Sequence, residues 1–329
     1  MEIFYSEWLI HLNVSFCNKP MMNRRKIVVI GSTNMDMVVK ASHIPVPGET
    51  VLGGAFLMNP GGKGANQAVS VARLGGEVTF ISKVGNDIFG KQSTQAFEEE
   101  GIDISGVMED NKAPSGVALI TVDESGENSI VVASGANLNL TPEDVETHLK
   151  NIPDVAIILM QLEIPMETVK FTVRYASSHG IQIILNPAPS NSLVPELFEM
   201  VDIITPNSNE ASMLTGIAVI DEESAKLAAE YLHRKGVKNV AITLGAKGAI
   251  LLNEQGFHLI PATKVDAIDT TAAGDVFNGA LAVAVSEGKN LLDAVTFACQ
   301  AASITATRMG AQSSIPYRKE LLLKVFPLQ

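Results

Sequence analysis

Six short apolar runs, alternating with stretches of helical period, constrain this 329-residue chain more than any other feature. The runs are KIVVIG (26–31), VTFIS (78–82), VAIILM (155–160), IQIIL (181–185), VDIIT (201–205) and VAITL (240–244). They are apolar at nearly every position rather than at alternate ones, as strands covered on both faces must be. Helical patterns lie near 64–75, 88–100, 142–150, 166–179, 222–235, 274–287 and 291–308. This alternation predicts right-handed βαβ units and an α/β fold, a doubly wound and mostly parallel sheet flanked by helices. No internal repeat or low-complexity linker divides the chain, so residues 23–329 are expected to form one domain.

Two segments break the pattern. Residues 36–60 are extended and punctuated by Pro and Gly, and residues 116–134 read as two alternating runs joined by the polar turn DESGEN. Such pieces are expected to pack away from the main sheet as a small β-sheet. Ligands of open α/β sheets bind outside the carboxyl ends of the strands, so a small sheet there would be a lid.

Composition excludes several functions. A net charge of −12 argues against a general nucleic-acid or anionic-membrane binder, though not against a local cationic pocket. No apolar run reaches the roughly 18 residues of a spanning helix. Residues 1–22 lack a basic start and a small-residue cleavage site, and Glu7 and His11 interrupt their apolar part. They are expected to lie outside the fold, an added strand or helix docked on the domain being the alternative. Cys17 and Cys299 are the only cysteines, which gives no disulfide framework and fits a reducing cytoplasm.

Several stretches carry chemistry. GSTNMD (31–36) follows the first strand without the second and third glycines of a dinucleotide fingerprint. Asn34 and Asp36, two apart, share one side of an extended chain and suit capture of neighbouring hydroxyls, or simply fill a polar turn. In NPGGKGANQAVSVARLGG (59–76), Gly61, Gly62 and Gly64 allow close backbone approach, Lys63 is a donor, and Asn66 opens a helix facing the loop. Lys63 is followed by Gly64, so this is not a Walker loop.

Glu163 stands just past a strand, as a site residue or a solvated acid. Asn207 and Glu210 have capping-box spacing and could equally serve a hydrated Mg²⁺ near phosphates. TLGAKG (243–248) is a hairpin turn or a phosphate cradle. The six histidines show no metal-ligand spacing.

DTTAAGDVFNGA (269–280) sharpens the choice. If Ala272, Ala273 and Gly274 start a helix, their N–H groups lack intrahelical partners and small side chains leave that end open to an anion. Asp275 would repel a phosphate, but it can take the proton of an attacking hydroxyl while the N–H groups hold charge on the phosphoryl oxygens. That is the division of labour of phosphoryl transfer.

GGKGANQA together with DTTAAGDVFNGA resembles the two signatures of the ribokinase-like (PfkB) sugar kinases. The likeness runs from about Lys26 to the C-terminus through GSTNMD, MQLE, NPAP, ITPN, ITLGAKG and GAQSS. The resemblance implies an ATP-dependent kinase acting on the primary 5-hydroxyl of D-ribose, with 2-deoxyribose, another pentose or a nucleoside as alternative acceptors. It implies that Asn34, Asp36, Gly62, Lys63, Asn66 and Glu163 hold the sugar. Asp275 would be the base, and Ala272, Ala273 and Gly274 the anion hole.

It further implies that Asn207, Thr243, Leu244, Gly245, Ala246, Lys247, Gly248 and Gly274 contact ATP, with Cys299 near the base and Glu210 near Mg²⁺. A K⁺ would sit at Asp269, Thr271, Thr305, Arg308, Gly310 and Ser314, and the lid would form a homodimer. A non-catalytic sugar- or nucleotide-binding protein is a remote alternative. A nicotinamide oxidoreductase would need the glycine fingerprint that is missing here.

Overall fold

The computed structural model describes residues 25–190 and 195–325. The expectation for residues 1–22 falls outside them. The first strand, β1 (Lys26–Ile30), runs into β2 (Asn34–Lys40) and β3 (Phe56–Gly61), and α1 (Lys63–Arg73) follows. Then come β4 (Val78–Gly85), α2 (Ile88–Glu99), β5 (Asp103–Asp110) and the hairpin β6 (Gly116–Val122) and β7 (Asn128–Ala133). The middle of the chain holds α3 (Pro142–Asn151), β8 (Val155–Met160), α4 (Met166–His179), β9 (Gln182–Leu185), β10 (Ile203–Ile204), α5 (Ser208–Thr215) and α6 (Glu222–Arg234). It ends with β11 (Asn239–Thr243), β12 (Ala249–Asn253), β13 (Gly256–Ile260), α7 (Ala273–Ser286), α8 (Leu291–Thr305) and α9 (Arg318–Val325).

Nine strands form the main sheet in the order β13-β12-β11-β10-β9-β8-β1-β4-β5. The central strand β1 pairs in parallel with β8 on one side and β4 on the other, so the winding reverses there. A crevice opens at such a reversal, outside the carboxyl ends of the strands. The unbroken apolar runs have the cause expected of them. Ile27 and Val29 sink into one core with α1, α7 and α8, while Val28 and Ile30 sink into the other with α3, α4 and α6.

The main sheet is mostly parallel but also holds antiparallel pairs, β11 with β12 and β12 with β13, as the hairpin-turn reading of TLGAKG implies for the first of them. The cause is the tight turn Gly245–Lys247, which brings the chain straight back after β11. No helix among the described residues is long and apolar enough to cross a membrane.

A second sheet, order β3-β2-β6-β7, stands apart and uses the two exceptional segments. Its β2–β3 and β6–β7 pairs are antiparallel and its central β2–β6 pair is parallel. Two polar residues anchor it to the body. Asp87 caps α2 through Gly90 N–H and also takes the N–H and hydroxyl of Ser115, at the entry to β6. Buried Asn137 accepts from Thr33 N–H and donates to the Thr33 carbonyl and to Asn34 Oδ1, at the entry to β2. The small sheet therefore leaves the body beside the carboxyl end of β1.

Candidate active site

Strand ends and two helix starts converge on the crevice. Asn34 and Asp36 are two apart on β2. Asp36 pairs across the sheet with Asn59, and Gly61 leaves room for its carboxylate, since a Cβ there would lie 2.2 Å from Asp36 Oδ2. The turn from β3 into α1 passes through Gly62 at φ 89°, with a would-be Cβ only 2.7 Å from Asn34 N. Only glycine tolerates both that dihedral and that approach. The turn is fixed by Glu163, beyond β8, whose Oε2 accepts from Ser32 Oγ at 2.5 Å and from Lys63 N–H at 3.1 Å.

Asp275 sits in the first turn of α7, buried. Its Oδ2 accepts from Asn66 Nδ2 at 3.0 Å and its Oδ1 from Gln67 Nε2 at 3.1 Å. Burial raises its carboxyl above the ordinary value, opposed by Lys63 and by these two amide donors. Burial alone would lower the Lys63 ammonium, yet Asp275, Glu163, Glu210 and Asp36 together raise it. Lys63 is thus a fixed cation among four acids. Asp36 is pushed up to about 7, by burial first and then by Glu163 and Asp275.

The start of α7 is unusual. Ala272 adopts φ 60°, the left-handed region that a residue with a Cβ rarely enters. Ala273 N–H donates to the Thr270 carbonyl at 3.1 Å. Of the three N–H groups anticipated as an anion hole, those of Ala272 and Gly274 have no partner among the described residues. A Cβ on Gly274 would meet nothing within 4 Å, so the approach to these donors is open.

Two cavities meet at this turn. A polar one of about 210 Å³ is lined by Lys63, Asn186, Asn207, Glu210, Gly274 and Asp275, among others. A larger one of about 460 Å³ is lined by Thr243, Gly245, Ala246, Gly248, Ala273, Gly274, Phe277 and Cys299 together with the loop 262–267 and Ala302, Ser303 and Ala306 of α8 and its end. Thr243, Thr270 and Gly274 line both, so the cavities are contiguous. The walls of the larger one are mostly small and apolar, and Lys63 stands in the polar cavity beyond the shared residues. Burial pushes the Cys299 thiol up to about 12, so it is a neutral wall.

Leu244 and Lys247, expected among the ATP contacts, do not line either cavity; Leu244 N–H instead closes the turn on the Gly248 carbonyl at 2.7 Å. Asn207 and Glu210 form both bonds of a capping box on α5 and still line the polar cavity, so the structural and site readings coexist. Burial raises the Glu210 carboxyl, partly offset by Asn207 N–H and Lys63.

Of the residues assigned to a cation, Asp269, Thr271 and Gly310 are joined behind the turn, while the Arg308 side chain pairs with Glu320. Asp269 Oδ1 accepts from the N–H and hydroxyl of Thr271, and Oδ2 from Gly310 N–H at 2.8 Å. These bonds hold its carboxyl below the ordinary value in spite of burial, which acts to raise it. The side chains of Thr305 and Ser314 are buried and bonded to the carbonyls of Ala301 and Ala311.

Sequence reasoning missed Ser32, Gln67, Asn137, Gln161, Asn186, Thr205 and Asn278, all buried and hydrogen-bonded around this crevice. It also missed the loop 262–267. A signal existed for four of them: polar residues directly after apolar strands, as in MQ, LN and IT, or beside a motif asparagine, as in NQ.

Comparison with known proteins gives the same picture. Residues 24–318 match the pfkB family carbohydrate kinases. The chain is 46% identical over 299 residues to a ribokinase of Haemophilus influenzae, covering 91% of this chain and 98% of that one. It is 37% identical over 292 residues to a deoxyribokinase of Salmonella typhi, covering 88% and 95%. The solved structure of Arabidopsis thaliana ribokinase complexed with ribose and ATP superposes with a TM-score of 0.84 at 32% identity, covering 93% of this chain and 99% of that one. With a family match over nearly its whole length and a site built for moving a phosphoryl group, the chain belongs to the pfkB family of carbohydrate kinases.

Proposed function

We propose that this kinase transfers the γ-phosphoryl group of ATP to the primary 5-hydroxyl of D-ribose, giving ribose 5-phosphate. One observation carries the reading: a buried carboxylate, Asp275, lies one residue from open backbone N–H donors, at the junction of a polar and an apolar cavity. Asn34 and Asp36 hold adjacent sugar hydroxyls. Gly62, Lys63, Asn66 and Glu163 complete the sugar side. Asp275 takes the proton of the attacking hydroxyl. The N–H groups of Ala272 and Gly274 hold the developing charge on the phosphoryl oxygens, and Lys63 adds a cation nearby. ATP fills the larger cavity with its base against Cys299.

The donor set also fits the ions of this chemistry. Among the described residues no three His, Cys, Asp or Glu side chains converge as a metal cage. Mg²⁺ keeps several waters and rides on phosphates, and Glu210 and Asn207, which line the polar cavity, would stand beside it. When bound with ATP, Mg²⁺ would neutralise phosphate charge. For K⁺, the carbonyls of Thr271, Arg308 and Gly310 accept no hydrogen bond from a described residue, and Asp269 sits among them as the counter-charge.

The lid carries exposed apolar side chains, including Leu57, Met58, Leu119, Val131 and Val132, more than a solvated sheet tolerates. A second copy covering them in a homodimer accounts for that. A buried free thiol at Cys299 fits a cytoplasmic enzyme.

The deoxyribokinase relative favours one second reading, 2-deoxyribose as the acceptor. An ADP-release assay over pentoses, 2-deoxyribose, hexoses and nucleosides decides between them. Highest kcat/KM on D-ribose is expected; highest kcat/KM on 2-deoxyribose or a nucleoside would replace the assignment.

A further inference from the structure

Gln67 stands beside Asn66 on α1, yet it is fully buried, and both ends of its amide are taken up by protein partners, which leaves it no polar atom to offer sugar or ATP. Nε2 donates to Asp275 Oδ1 and to Asn186 Oδ1, each at 3.1 Å, and Oε1 accepts from Gln161 Nε2 at 2.5 Å. The orientation of the amide follows from its partners. Asn186 Nδ2 is committed to the backbone carbonyl of Thr205 at 3.2 Å, and a carbonyl can only accept. Asn186 must therefore show its oxygen to Gln67. A carboxylate oxygen and an amide oxygen on one side call for the NH₂ of Gln67 there, and its oxygen turns to Gln161.

The chain of bonds continues. Thr205 Oγ1 donates to Asn278 Oδ1 at 2.5 Å, and Asn278 Nδ2 donates to the Gly274 carbonyl at 2.8 Å. The two ends of this buried train thus grip the Asp275 carboxylate and the peptide of Gly274, the two working parts of the α7 turn.

We infer that Gln67, held by Gln161 and Asn186, is a positioning residue that fixes the Asp275 carboxylate for proton abstraction. The inference rests on Asp275 being the base. With Asn66 on Oδ2 and Gln67 on Oδ1, the carboxylate cannot rotate, and each oxygen keeps a lone pair for an incoming hydroxyl. The donors also favour the ionised base against burial. The other charged groups around Asp275 are Lys63 on α1, Asp36 on β2, Glu163 after β8 and Glu210 on α5, and none of them depends on Gln67 for its place.

The test is the single-turnover rate of phosphoryl transfer to ribose as a function of pH, in Gln67→Met, Gln161→Met, the double variant and Asp275→Ala. Gln67→Met keeps the volume and removes the donor. Its transfer rate is expected to fall about 10- to 100-fold at pH 7, with the acid limb of the profile moved to higher pH and ATP binding unchanged. Gln161→Met touches neither Asp275 nor a cavity. It is expected to move the limb the same way by less, and the double variant to be no worse than Gln67→Met alone. Should Gln67→Met fail to fold, the limb of Gln161→Met decides. A rate loss equal at every pH, or parent rates, overturns the inference. Parent-level transfer by Asp275→Ala would instead remove the base assignment itself; an inactive Asp275→Ala with an unmoved Gln67→Met limb sinks only the positioning role.

Discussion

At the scale of single residues, the site holds its charges at a cost to stability. Asp36 has its carboxyl moved from 3.8 to about 7 by burial and by its acidic neighbours. Between those values the folded chain keeps a proton that the unfolded chain releases. Stability therefore falls as pH rises through that window, and the loss is complete above about 7. Asp36→Asn removes the penalty. Its melting temperature is expected to exceed that of the parent at pH 8, with the gap closing toward pH 5. Its KM for ribose should rise about 10- to 100-fold through the lost charged hydrogen bonds. A variant that melts at or below the parent at pH 8 contradicts the charge assignment. The sequence marked Lys63 and Asp275 as chemistry through the glycines and small residues around them, and offered Asn34 and Asp36 through their spacing on an extended chain. Gln67 and Asn186 had only a positional signal, and their roles stayed hidden because a buried amide reads like any polar residue until its partners Asp275, Gln161 and Thr205 are in place.

At the scale of elements, two helices must cross closely enough for Asn66 and Gln67 to reach Asp275. Gly279 of α7 faces Ser70 of α1, and a Cβ there would lie 2.5 Å from Ser70 Cβ. Gly279→Ala is expected to destabilise the fold by about 1–3 kcal/mol and to slow transfer, since it pushes the base away from its donors. Ser70→Gly in the same chain should restore part of both. Thermal melts and turnover of the single and double variants check this; a double variant no better than Gly279→Ala would show that the clash is not the cause. Gly64 meets a harder limit, since a Cβ there would lie 2.5 Å from the backbone of Gly31 and Ser32, where the start of α1 packs against the end of β1. The strands and helices themselves were legible because burial on both faces leaves continuous apolar runs. The edge strands β5 and β13 were not, since Asp103–Asp110 is largely polar and Gly256–Ile260 looks out to solvent on one side. Nor did helical period mark α5, whose limits came from its capping box and Gly216.

At the scale of the whole molecule, a single reversal of winding at β1 sets where the candidate site lies. The ends of β1, β8, β9, β10 and β11 supply Ser32, Glu163, Asn186, Thr205 and Thr243 to one crevice. The small sheet leaves the body at the same place, so the sugar contacts proposed for Asn34 and Asp36 and the surface proposed for a second copy belong to one element. Leu119→Lys is expected to shift the protein from dimer to monomer in sedimentation velocity; a monomeric parent would contradict the assembly. If the carbonyls around Asp269 hold K⁺, turnover should fall when potassium is exchanged for choline, and equal rates in both would dismiss that site. The central claim is that Asp275 is the base of phosphoryl transfer to the 5-hydroxyl of ribose. The most direct measurement is the rate of ribose 5-phosphate formation by Asp275→Asn beside its calorimetric affinity for ATP. The account predicts a loss of about 10³-fold or more with ATP affinity retained. A variant that forms ribose 5-phosphate at near-parent rate contradicts it.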